Sequence, residues 1–212
     1  MFITFEGIEG CGKSTQARLL FEAMKARGID TVLTREPGGT RIGQKIRKIL
    51  MSTSNTELCA AAELLLLEAD RAQHVCEVIV PAIEKGTMVI CDRFSDATVA
   101  YQGHGRGIDL DFIQKLNSYA SNMIRPDKTF LLDCPVELGL TRALDRNMKA
   151  EKQGEGRFEA ETLEFHQEVR NGYMSLAKCE PDRFVVLDGT RDQDELAREI
   201  LGIVEVLLGE NP

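Results

Sequence analysis

One eight-residue stretch, Gly7-Ile8-Glu9-Gly10-Cys11-Gly12-Lys13-Ser14, constrains this chain more than any other. It fits the pattern G-x-x-x-x-G-K-[ST], which average residue usage produces by chance in about one chain in a hundred of this length. The short apolar run Phe2–Phe5 precedes it. A pattern of period near 3.6 follows it, from Gly12 to Ala26. The motif therefore stands between a predicted strand and a predicted helix, the setting its chemistry needs. Glycine at 7, 10 and 12 lets the backbone turn with its N–H groups pointing inward as an anion nest. The helix that starts near Gly12 adds the positive end of its dipole. Lys13 would reach the β- and γ-phosphates of ATP or GTP, and the Ser14 hydroxyl would meet Mg²⁺. The expected nucleotide-binding set runs from Gly7, Ile8, Glu9, Gly10, Cys11 and Gly12 through Lys13, Ser14 and Thr15. Cys11 sits at a helix N-terminus, which lowers a thiol pKa; the plainer reading is a small residue where a small residue fits.

The rest of the chain repeats the same alternation. Short runs rich in β-branched and aromatic residues lie at Phe2–Phe5, Thr31–Thr34, Met88–Cys91, Thr129–Leu132 and Phe184–Leu187. They read as buried strands of a parallel sheet. Helical patterns fill the intervals: Gly12–Ala26, Ile42–Met51, Glu57–Glu84, Asp109–Asn122, Val136–Met148, Glu159–Ala177 and Asp192–Leu208. Strands alternating with helices predict an α/β fold, a three-layer P-loop NTPase architecture with a five-stranded parallel sheet flanked by helices. The 212 residues suit one domain, 1–212. Lys149–Gly156 is polar with two glycines and reads as a mobile loop.

The net charge of −8 argues against a nucleic-acid polymer as partner. A local arginine cluster can still hold a small phosphorylated ligand. No apolar run nears the roughly 20 residues of a membrane span, and the N-terminus has no secretory pattern. The six cysteines form no C-x-x-C pair and read as small buried hydrophobes in a reducing, cytoplasmic setting.

Two further segments bear on the chemistry. Val89-Ile90-Cys91-Asp92-Arg93 is an apolar strand ending in Asp-Arg, which supplies a carboxylate for magnesium and places a guanidinium at the crevice beyond the strand ends. Arg35-Glu36-Pro37-Gly38-Gly39-Thr40 closes the second strand in a turn that proline and glycine stiffen. These two, with the P-loop beginning Phe5-Glu6-Gly7, Asp70-Arg71-Ala72-Gln73 and Ala100-Tyr101-Gln102-Gly103, resemble bacterial thymidylate kinase in order and spacing over nearly the whole chain.

The resemblance implies transfer of phosphate from ATP to dTMP with Mg²⁺, by a homodimer. By motif position Arg93 would bridge donor and acceptor phosphates, Arg35 and Pro37 would help hold the acceptor, and Arg71 would hydrogen-bond the thymine. Thr98, Tyr101 and Gln102 would line the acceptor pocket, with Tyr101 disfavouring a 2′-hydroxyl. The chain departs from many relatives at Leu67, where they carry a Phe that stacks on thymine, and at Ala97, where they often have Ser. The P-loop carries no arginine, so a lid around 142–158 is expected to supply it. Arg146 and Arg157 are the expected donors, then Arg142 at the ATP side, with Lys149 and Lys152 weaker. Glu9 would lie near the acceptor; Glu159, like Ser14 and Asp92, would approach the metal. Glu36–Pro37 is expected to be cis, and the helix Glu57–Glu84 is the expected dimer face. A nucleotide-binding regulatory switch, a kinase of another small acceptor and a scaffold without turnover are the alternative readings. The first lacks an Asn-Lys-x-Asp or Asp-x-x-Gly signature.

Overall fold

The computed structural model describes residues 1–149 and 156–209. Five strands form the sheet: β1 (Phe2–Glu6), β2 (Thr31–Arg35), β3 (Met88–Asp92), β4 (Lys128–Asp133) and β5 (Phe184–Asp188). Their order is β2-β3-β1-β4-β5, with every pairing parallel. The expected α/β architecture and each of its strands are therefore present, each extended by a residue or two. β1 lies at the centre and is buried along its whole length. Ile3 and Phe5 join one apolar cluster with Ala17, Leu20 and Met24. Phe2 joins another with Val75, Ile79 and Phe94. Alternation along a strand covered on both sides gives this split.

The helices are α1 (Lys13–Ala26), α2 (Arg41–Met51), α3 (Ala60–His74), α4 (Val80–Glu84), α5 (Ser95–Thr98), α6 (Leu110–Ala120), α7 (Val136–Lys149), α8 (Leu163–Cys179) and α9 (Gln193–Leu207). Their starts follow from local chemistry. The side chains of Thr40, Asp109, Thr162 and Asp192 each accept a backbone N–H of the first turn.

The expected single helix Glu57–Glu84 is continuous only from Ala60, and a π turn at Val75–Ile79 joins α3 to α4. Pro81, just beyond it, has no N–H to donate, and the ladder relaxes around it. A second π turn, Val99–Gly105, continues α5. The sequence patterns did not disclose this helix, because two glycines and a wide turn break the 3.6 period. The run Leu64-Leu65-Leu66 reads as core in the sequence. Leu64 is buried, but Leu65 is 57% exposed, since neighbours on a helix stand about 100° apart. Of the cysteines, Cys11, Cys91 and Cys134 are buried, whereas Cys59, Cys76 and Cys179 are exposed, and all six are free.

Glu6 ends β1 inside the core, accepting from Phe94 N at 2.7 Å and from Tyr173 Oη at 2.7 Å. Burial, with Asp96 nearby, pushes its carboxyl from 4.5 up to about 8, against the pull of Arg93 and these two donors. Between those values the folded chain keeps a proton that the unfolded chain has lost. Stability therefore falls as pH rises through that window, and the penalty is complete above it. Urea unfolding of wild type and Glu6→Gln across pH 5–9 checks this. The wild type should lose up to a few kcal/mol relative to the variant as pH rises, and parallel curves would contradict it.

Candidate active site

The carboxyl ends of β1, β2 and β3 open onto one crevice of about 490 Å³. Although the chain is acidic, its walls carry Lys13, Arg35, Arg47, Arg71, Arg93, Arg142 and Arg146 against Glu9, Glu36, Asp70, Asp92 and Glu159. The floor is the P-loop. Lys13 Nζ donates to Ile8 O at 3.1 Å, folded back on its own loop. Ile8 itself points into the core, so only its backbone is offered to a ligand. The loop is held from outside by a residue that the sequence patterns gave no reason to select. Gly10 has φ 70°, and a Cβ there would stand 1.9 Å from Gly139 O in α7. A Cβ on Gly139 would stand 2.5 Å from Glu9 O. Loop and helix thus meet backbone to backbone.

Ser14 Oγ donates to Asp92 Oδ2. Asp92 Oδ1 is buried and has no hydrogen-bond partner among the described residues. A hydroxyl and a carboxylate with one unpaired buried oxygen together fit a hard divalent cation whose other ligands are phosphates and water. Among the described residues there is no cluster of three or more His, Cys, Asp or Glu that would cage a metal unaided. Glu159 also reaches the crevice wall, but its carboxylate is engaged by Arg146 Nη2 at 3.4 Å and Asn147 Nδ2 at 3.3 Å.

Arg93 follows β3 with φ 72°, a left-handed conformation that costs a residue with a side chain about 1–3 kcal/mol. Its N–H donates to Phe5 O at 3.0 Å, and Phe94 N is taken by Glu6, so the turn is pinned on both sides. The side chain donates to Tyr173 Oη at 3.0 Å, Glu9 Oε1 at 3.0 Å and Tyr101 Oη at 2.8 Å. It also lies over the Tyr101 ring, 4.7 Å from its centroid. Tyr101 Oη in turn donates to Glu9 Oε1 at 2.6 Å. Burial alone would raise the Glu9 carboxyl; Arg93, with smaller contributions from His166, Lys13 and Tyr101, holds it well below the usual carboxylate range.

The acceptor side is built on the turn after β2. The Glu36–Pro37 bond is cis, as expected. Arg35, Pro37, Leu67, Ala97, Thr98, Tyr101 and Gln102 all line the crevice. Arg47 and Phe158 line it too, and no motif pointed to them. Arg71, the expected thymine donor, lines the crevice too, and each of its donor nitrogens has a protein partner in this structure. Nε meets Glu36 at 3.0 Å, Nη1 meets Glu68 and Asn117, and Nη2 meets Phe94 O and Thr98 Oγ1. To hydrogen-bond a base it must give up one of these. Thr98 Oγ1 accepts from Arg71, and Gln102 Nε2 donates to Glu63 Oε1 at 2.8 Å.

The described flanks of the expected lid divide. Arg142 and Arg146 line the crevice, with Arg142 Nη1 on Gly189 O at 3.1 Å. Arg157 is not among the lining residues. It donates to Leu50 O at 2.7 Å and to Glu63 Oε2 at 2.6 Å. Glu63 is 1% exposed, and a buried carboxylate draws cations; it takes both Arg157 and Arg106. In this arrangement Arg157 anchors the segment rather than facing phosphate. Lys152 and most of the expected loose loop lie outside the described residues.

The thymidylate kinase family model matches residues 5–200. The chain belongs to the thymidylate kinase family. A thymidylate kinase from Citrifermentans bemidjiense is 58% identical over 191 residues, 90% of this chain and 85% of that one. One from Desulfovibrio desulfuricans is 49% identical over 98% of this chain and 96% of its own. The crystal structure of thymidylate kinase from Ehrlichia chaffeensis has 34% identity and a TM-score of 0.76, covering 97% of this chain and 98% of that one. Membership makes the chain a nucleoside monophosphate kinase, which sets aside the switch and the scaffold. Among the described residues no helix is long and apolar enough to cross a membrane.

The backbone contact between loop and α7 has a direct consequence. Gly139→Ala should push the P-loop off its position and lower kcat/KM for ATP by roughly 10–100-fold, with the chain still folded by circular dichroism. An unchanged kcat/KM for ATP in the folded variant would contradict this.

Proposed function

We propose that this chain transfers the γ-phosphate of ATP to dTMP with magnesium, in the cytoplasm, as a homodimer. The observation that carries the reading is the meeting of three elements in one crevice: the P-loop with Lys13, the Ser14–Asp92 pair, and the forked guanidinium of Arg93, with the Arg35 turn on the same wall. The P-loop amides and Lys13 hold the β- and γ-phosphates of ATP; Gly7 to Thr15 and Arg142 form that side. Arg35, Pro37, Leu67, Arg71, Thr98, Tyr101 and Gln102 shape the acceptor side. Ser14 and Asp92 hold the magnesium ion, which neutralises phosphate charge when bound. Arg93 stands between two polyanions, where its donors offset their repulsion and the charge of the transition state. Arg146 closes from the lid side over the transferred group. No general base is needed, since the acceptor already carries an ionised phosphate; catalysis is positioning and electrostatics. Free thiols on the surface accord with a reducing compartment. Exposed Ile42, Ile49, Leu65 and Phe112, on helices α2, α3 and α6, support a second subunit on that side.

A coupled ADP-release assay with dTMP, dUMP, dCMP, dGMP, AMP and thymidine tests the reaction. dTMP should be the best acceptor. Lys13→Ala should lower kcat by at least about 100-fold. Faster turnover of thymidine or AMP would overturn the acceptor, and acceptor-independent ADP release would overturn the reaction.

A further inference from the structure

Behind the phosphate crevice two buried polar groups face each other with nothing between them to satisfy either. Glu9 Oε1 accepts from Arg93 and Tyr101, whereas Oε2 is buried and has no hydrogen-bond partner among the described residues. His166 lies in the first turn of α8 and is 0% exposed. Neither of its ring nitrogens has a hydrogen-bond partner among the described residues. Its Nδ1 stands 3.4 Å from Glu9 Oε2. A buried polar atom left unpaired is unfavourable, and at 3.4 Å a small turn of either side chain brings these two into a hydrogen bond. A neutral imidazole with its proton on Nδ1 does this without adding charge.

The pairing matters because Glu9 has two tasks that pull apart. In this structure it orients Arg93. If Arg93 is the phosphate clamp, as proposed above, its donors turn to phosphate when substrates bind, and Glu9 is left as an anion beside other anions. A carboxylate fixed at one oxygen only is then free to rotate toward the guanidinium or away from it. We propose that His166 is a positioning residue for phosphoryl transfer: its Nδ1–H holds Glu9 Oε2, so that Oε1 and the Tyr101 hydroxyl keep Arg93 aimed at the acceptor side. His166 touches no substrate in this account. Its ring also meets the Phe165 ring edge-on at 5.4 Å between centroids, so a packing role is the competing explanation.

A double-mutant cycle on the full chain separates the two. His166→Phe keeps the packing and removes the donor. It should lower kcat about tenfold, while KM for ATP moves by no more than about twofold. His166→Asn places an amide donor where Nδ1 stands and should recover most of kcat; His166→Gln, whose donor stands at the Nε2 position, should not. In a Glu9→Gln background, His166→Phe should cost no more than about a further twofold. A folded His166→Phe protein with wild-type kcat would overturn the proposal, and so would a loss that persists undiminished beside Glu9→Gln. Should His166→Phe fail to fold, the Asn and Gln variants decide: recovery by Asn alone supports the pairing, and equal kcat overturns it. The ratios are read on whichever acceptor the wild type turns over, so an error about dTMP shows in the wild type and an error about His166 shows in the cycle.

Discussion

The organisation of this site depends on one backbone residue with a side chain in a conformation that disfavours side chains. Arg93 leaves the central sheet at φ 72°, and this turn sends the guanidinium into the crevice instead of along the strand. The strain is offset by bonds on either side of the residue, to Phe5 O and from Phe94 N to Glu6. The guanidinium then finds Glu9, Tyr101 and Tyr173, which come from the P-loop, the π turn after α5, and α8. A single cation thus ties three separate elements to the end of β3. A buried Glu6 is tolerated because burial keeps its carboxyl protonated up to about pH 8, and it orders the turn by accepting from Phe94 N and Tyr173 Oη.

Charge is distributed accordingly. The chain is acidic overall, at −8, yet its crevice gathers arginines whose guanidinium groups are braced by carboxylates behind them: Glu9 behind Arg93, Glu36 and Glu68 behind Arg71, Glu159 behind Arg146. Such pairs keep cations fixed before any phosphate arrives, so little reorganisation remains for the reaction. Glu63 makes the same arrangement at the flank of the expected lid, taking Arg157 and Arg106.

The strands and the P-loop were legible because each obeys a short-range rule. Phe2–Phe5 alternates against two covered faces, and Gly7–Ser14 is dictated by phosphate. The helix Ser95–Gly105 was not legible, since a π turn carries no period that a sequence pattern matches, and yet it delivers Thr98, Tyr101 and Gln102. Arg157 is expected near phosphate from its place in the lid segment; in this structure it meets the buried Glu63, 94 residues away in the chain. Gly139 and His166 escaped for the same reason. Their importance lies in what they meet across the fold, Glu9 O and Glu9 Oε2, and neither contact leaves a local signal. Leu65 shows the reverse error: a run of leucines reads as core, but a helix turns one of them outward.

The central claim is that Arg93 acts through the fixed fork of its donors and not through charge alone. Arg93→Lys keeps the charge and removes the fork, so steady-state kinetics with saturating ATP and varied dTMP test it most directly. The account predicts kcat lower by about 100-fold or more, with KM for dTMP changed far less. A lysine variant with near wild-type kcat would contradict it.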